Sequence, residues 1–276
     1  MKISVLGPLE VIHDDVPVTI RRARCRAVLA FLVSRHPERV RVEMLADALW
    51  PDADDGEKAT NSARVHVHHL RRALPGHEAV LPAGDGGYGL RISHAELDVV
   101  RFAEAAAQGR ELSTAGQPAE ALAQYERALG EWRGDAYTDF AGIHAFDAVR
   151  ARLADERFDV VHGYCRALLD HDGADEVVRL LPEIVAEHPG REDLGACLMV
   201  GYFRTGRQSD ALGLFGRIKD DLAERGLQPG DGLTKIAEAI VVEPETLARG
   251  RPAILPRRAT RPRARGAVVG REDERQ

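Results

Sequence analysis

Residues 63–74, ARVHVHHLRRAL, place three histidines and three arginines in twelve positions with no acid among them. Side chains of these types can ligate a metal, move a proton, or donate to phosphates and base edges. A metal needs ligands that converge. His66 and His68 are two positions apart, about 200° around a helix, so they cannot share an ion from one face. His66 and His69 could, but no Cys, Asp or Glu lies between residues 58 and 77 to complete a set. A catalytic histidine needs a nucleophile or an orienting carboxylate, and neither is adjacent. The chain contains no HExxH, GxSxG or GxxxxGK[ST]. Neither an enzyme, a metal nor a cofactor is expected.

The third chemistry fits a helical wheel. Ala63, Val67, Leu70 and Leu74 recur at i, i+4, i+7 and i+11, which predicts a stripe against a core. The remaining arc presents Asn61, Arg64, Val65, His68, His69, Arg71 and Arg72. Arg can pair with guanine, Asn with adenine, and Val can meet a thymine methyl. By itself, however, a basic stripe fits a solvated helix face equally well.

The elements around this helix give it a setting. KISVLGPLEVI and VPVTI alternate apolar and polar residues and predict short antiparallel strands. RCRAVLAFLVSR and VEMLADALW predict two helices, the second with Met44, Leu45, Ala48 and Leu49 inward. The link PDADDGEKAT precedes the third helix, which is expected to start near Asn61 or Ser62. AVLPAGDGGYGLRI predicts a hairpin around a glycine-rich turn. Sheet, three helices and hairpin in this order match a winged helix-turn-helix, whose second motif helix enters the major groove.

Beyond residue 95 the pattern is helical, with helices expected near 97–113, 117–132, 144–171, 174–188, 191–205, 207–225 and 231–241. Gly173 and Gly206 open similar junctions 33 residues apart, close to the tetratricopeptide period. A third junction at Gly116 is out of phase, as an insertion containing EWRGDAYTDF would explain. The expected fold is mainly α with a small β part: a winged helix-turn-helix, then an all-helical tetratricopeptide-like domain.

Charge divides the chain along similar lines. Residues 1–94 carry 13 Lys+Arg and 12 Asp+Glu, residues 95–250 carry 17 and 29, and residues 251–276 carry 8 and 3. A near-neutral head, acidic body and basic tail imply domains with different partners. Domains are expected at 1–94 and 95–245, with a flexible basic linker at 246–276. Three widely spaced cysteines and the lack of any long apolar run or secretory signal point to a reduced cytoplasm and no membrane.

LGPLEV, MLADALWP, VHVHHLRRAL and GGYGLRI together resemble the OmpR-like DNA-binding domain of the SARP family, the actinobacterial antibiotic-pathway regulators. LDVVRF and the run from PGREDLGACLMV to LQPGDGL resemble that family's bacterial transcriptional activation domain, so the likeness covers about residues 1–245. The resemblance implies an activator of secondary-metabolite genes. It would bind direct repeats near the promoter −35 element, as a dimer or tandem pair on double-stranded DNA, and recruit RNA polymerase holoenzyme with its sigma factor.

The resemblance also implies groove contacts at Arg64, Val65, His68 and His69, and backbone contacts at Asn61, Arg71 and Arg72. It places Asp52, Asp54, Asp55 and Glu57 where related domains carry the polymerase-touching loop. One departure is Gly89, which stands where the family hairpin carries an arginine. AVVGREDE in the tail resembles the entry to the ATPase module of larger members, which implies either a truncated large regulator or a small member with a chance resemblance. The competing expectation is a tetratricopeptide-type signalling adaptor whose winged helix binds protein, not DNA.

Overall fold

In a computed structural model, which describes residues 1–53, 55–76, 80–82 and 87–248, the opening alternation becomes a three-stranded antiparallel sheet. Its strands are β1 (Lys2–Ser4), β2 (Glu10–His13) and β3 (Val16–Pro17), in that order. Ile3 pairs with Val11, so both point to the same face, and both are buried. Three helices follow: α1 (Ala23–Arg35), α2 (Val42–Leu49) and α3 (Gly56–Ala73). Of the linker expected at 246–276, residues 246–248 instead end a short helix in which Leu247 is buried, and residues 249–276, like the hairpin residues 83–86 and Asp54, lie outside the described residues.

Two details of these helices depart from expectation. Met44 is 44% exposed, because so short a helix buries only Leu45, Ala46 and Leu49. The third helix starts at Gly56, well before Asn61. Asp55 makes this possible, since its carboxylate accepts from Glu57 N at 2.9 Å and Lys58 N at 3.3 Å and so caps the first turn. Half of the acidic link is therefore helix.

The helical region contains α4 (Asp98–Thr114), α5 (Pro118–Gly130), α6 (Asp147–Asp170), α7 (Ala174–Glu187), α8 (Glu192–Arg204), α9 (Gln208–Glu224), α10 (Asp231–Val242) and the short α11 (Glu245–Ala248). By packing, the described residues form two compact units, the first ending at Gly173 and the second beginning at Ala174. The division of sequence character at 94/95 falls inside the first unit. In the second, α8 is the central element: Leu194 to Tyr202 are all buried, and α7, α9, α10 and α11 each pack on it.

Within the first unit the β1–β2 loop is held by residues from the helical region. Asp98, 1% exposed, accepts from Val5 N at 2.7 Å and Leu6 N at 2.8 Å through one oxygen, and from Val99 N through the other. Arg133 N and Tyr137 N donate to Leu6 O and Val5 O, each at 2.8 Å. Asp139 accepts from Leu9 N at 2.9 Å and pairs with Arg26 of α1. Gly7, at φ 143°, lies against Arg133, where a Cβ would come within 3.0 Å of the Arg133 Cβ. Phe146 stacks on Tyr137 and Phe140, with ring centres 5.3 and 5.0 Å away, and meets Phe31 of α1 edge-on. The segment EWRGDAYTDF thus ties α1 and the sheet to the first helical pair.

Candidate nucleic-acid interface

The third helix is anchored by the stripe its spacing predicts: Ala63, Val67, Leu70 and Leu74 are at most 2% exposed, and Ala59 extends the row. It packs on both α1 and α2. Anchoring one face fixes the other. Asn61, Arg64, Val65, His68 and Arg72 are exposed, while His66, His69 and Arg71 are half-buried. Beyond Glu57 in its first turn, the helix carries no acid. Arg64 and Arg72 have no hydrogen bond or ion pair among the described residues, so their guanidinium groups remain available to a ligand.

The histidines separate by environment. His66 donates from Nδ1 to Ser62 O at 2.8 Å, and its ring lies 5.2 Å from that of Trp50. Arg24 covers Trp50 at 5.5 Å and donates to Leu49 O at 2.6 Å. His66 is thus held by Ser62 and packed, tilted by 48°, against Trp50. His68 and His69 face outward with ring centres 5.9 Å apart. Partial desolvation, followed by the charges of Arg22, His68, His66 and Arg72, holds His69 below the ordinary imidazole range. Arg22, just ahead of α1, therefore belongs to the same positive surface, although nothing in its own spacing marks it. Among the described residues no three His, Cys, Asp or Glu side chains form a metal-binding group.

The acids implied by resemblance do not act alike. Asp52 and Glu57 are exposed, Asp55 is the cap of α3, and Asp54 lies outside the described residues. The segment expected as a hairpin forms no strand among the described residues, its two arms sharing one backbone bond from Arg91 N to Val80 O at 2.8 Å, and it makes a contact that sequence reasoning missed. Tyr88 and Val40 exchange backbone bonds, N to O at 2.7 and 2.8 Å, so the returning arm pairs with the connection between α1 and α2. Gly87, at φ 116°, permits this, since a Cβ there would lie 2.3 Å from Val40 O. The alternation of VRV at 40–42 was the only sequence signal for it. Arg71 is not free either: it donates to Leu81 O and Pro82 O. Gly89 is buried against Arg39, and Arg91 is exposed.

Comparison with known proteins matches this arrangement. The bacterial transcriptional activator domain family matches residues 97–241, and the family described as transcriptional regulatory protein, C terminal, matches residues 18–86. The regulatory protein DnrI of Streptomyces peucetius is 30% identical over 270 residues, covering 92% of this chain and 97% of its own length. The transcriptional regulatory protein EmbR of Mycobacterium tuberculosis is 32% identical over 86% of this chain, and AfsR of Streptomyces coelicolor is 30% identical over 90%. The chain spans 62% of the length of EmbR and 25% of that of AfsR. A structure of Mycobacterium tuberculosis EmbR in complex with a low-affinity phosphopeptide superposes with a TM-score of 0.83 at 30% identity, covering 90% of this chain and 68% of that one. An OmpR-like region followed by a bacterial transcriptional activator domain places the chain in the SARP family of transcriptional regulators.

Proposed function

We propose that the chain is a sequence-specific, DNA-binding activator of secondary-metabolite genes, acting in the cytoplasm without enzymatic activity. The observation that carries this reading is the outer face of α3, free of acid from Lys58 to Ala73 and held outward by a fully buried stripe. In the major groove, Arg64, Val65, His68 and His69 read base edges, and Asn61, Arg72 and Arg22 contact phosphates. Residues 1–94 read DNA, 95–248 form the activating domain and the residues beyond 248 the linker. Two copies bind direct repeats near the −35 element and recruit RNA polymerase holoenzyme through its sigma factor. No helix of the described residues is long and apolar enough to cross a membrane.

Asp52, Asp54 and Asp55 provide the test that separates binding from activation. Acids near a DNA-binding helix repel phosphate unless they face away, where they can meet a basic polymerase surface. The variant Asp52→Ser, Asp54→Ser, Asp55→Ser keeps a competent cap on α3. On a promoter neighbouring its own gene it is expected to bind as well as the parent or slightly better, yet to support less transcription by purified polymerase. Unchanged transcription at full occupancy would move the polymerase contact to the acidic helical region. A chain without affinity for duplex DNA would favour the adaptor reading.

The depressed proton affinity of His69 adds a pH dependence. In the free protein its neutral form persists below the ordinary imidazole pKa. Phosphate nearby favours the charged form, so binding takes up protons. Affinity should therefore rise as pH falls from about 8 to about 6, and His69→Gln should flatten the titration. An equally steep titration for His69→Gln would assign the linkage elsewhere.

A further inference from the structure

Arg71 differs from the other cations of α3 in what it already holds. Its Nε donates to Leu81 O and a terminal nitrogen to Pro82 O, each at 2.9 Å, and the guanidinium lies 5.6 Å from the centre of the Tyr88 ring. Leu81 is buried, and Tyr88 is fixed to Val40 by the paired backbone bonds. One side chain near the end of α3 therefore grips the outgoing arm of the hairpin at two carbonyls and covers the returning arm. A phosphate would find one edge of the guanidinium, Nε and one terminal nitrogen, already held by the two carbonyls.

We propose that Arg71 is a positioning residue, a strut that locks Leu81, Pro82 and Tyr88 onto the recognition helix so that they and the helix meet DNA as one surface. The inference rests on the DNA-binding reading and replaces the backbone contact that resemblance gives Arg71. A guanidinium suits the task because its planar fork serves two adjacent carbonyls while its face covers a ring; an ammonium has the charge without that geometry. Residues 79–90 contain no Lys or Arg. Arg91 is the one cation of the segment, so loss of the contacts of residues 79–90 removes affinity without removing phosphate-neutralising cations, and the salt dependence of binding, read with exchange at Tyr88, separates the two roles.

The experiment uses the whole chain, a promoter duplex that it protects, and the variants Arg71→Gln, Arg71→Lys and Arg72→Ala. Affinity is measured between about 50 and 200 mM salt, and amide exchange at Tyr88 is followed without DNA. Both Arg71 variants should lose about tenfold in affinity or more, with the parent's salt slope, and both should exchange faster at Tyr88. Arg72→Ala should lower the slope by about 0.9 and leave Tyr88 unchanged. Parent-like affinity in Arg71→Lys, or a slope lowered by about 0.9 in Arg71→Gln with unchanged exchange, would make Arg71 a direct phosphate contact and overturn the strut. If the parent binds no duplex at any salt, the DNA-binding reading itself fails. Exchange at Tyr88 then decides the strut: faster exchange in both Arg71 variants supports it, and unchanged exchange overturns it.

Discussion

Asp98→Ala is expected to destabilise the unit of residues 1–173 by about 3–5 kcal/mol, the cost typical of leaving the partners of a buried charge unpaired. The substitution strands Val5 N and Leu6 N away from water, and it removes the nearby counter-charge of Arg133, 3.8 Å from the carboxylate. Burial pushes the Asp98 carboxyl up from its usual range, against the pull of the N–H bonds and Arg133. The charge is therefore held at a cost, while the acceptor oxygens are needed. Asp98→Asn keeps an oxygen for Val5 and Leu6 and removes the buried charge, so it should cost only about 1–2 kcal/mol. Thermal unfolding of the full chain checks both, with a shift of about 10 °C expected for the alanine variant. A loss below about 1 kcal/mol for Asp98→Ala would mean that water reaches these amides and that the clamp is not rigid.

This clamp also shows where the sequence was opaque. Periodicity marks what a segment buries, so α3 was legible: Ala63, Val67, Leu70 and Leu74 lie inward as their spacing requires. The long helices beyond residue 95 were legible for the same reason. Asp98 was not, because an acid at the start of a helix is also what a simple macrodipole contact would place there. Its partners, Val5 and Leu6, are more than ninety positions away. The intramolecular bonds of Arg71 were not legible because a wheel gives direction without neighbours: its guanidinium reaches Leu81 and Pro82 through a loop conformation that spacing does not encode. Asp55 could have been read as a cap, yet its acidic neighbours made the whole link look like a single surface. Gly87 was one glycine among several until its approach to Val40 O distinguished it.

The second large effect is expected on α3 itself. Arg64 and His69 lie on its outward arc, clear of the buried stripe, so replacing both with Ala leaves the core untouched. Arg64 offers a fork for a guanine edge and His69 a single donor, and each such contact discriminates between bases by roughly 1–3 kcal/mol. Non-specific affinity rests on the phosphate contacts of other residues and should fall much less. The effects fall on sites about a turn and a half apart and should be roughly additive.

Footprinting of the promoter neighbouring its gene, with the parent chain and the Arg64→Ala, His69→Ala variant side by side, tests the central claim most directly. The parent should protect two directly repeated sites near the −35 element. The double variant should lose that protection while retaining weak, salt-sensitive binding to any duplex. An unchanged footprint and affinity in the double variant would contradict the assignment of this helix as the reader of DNA.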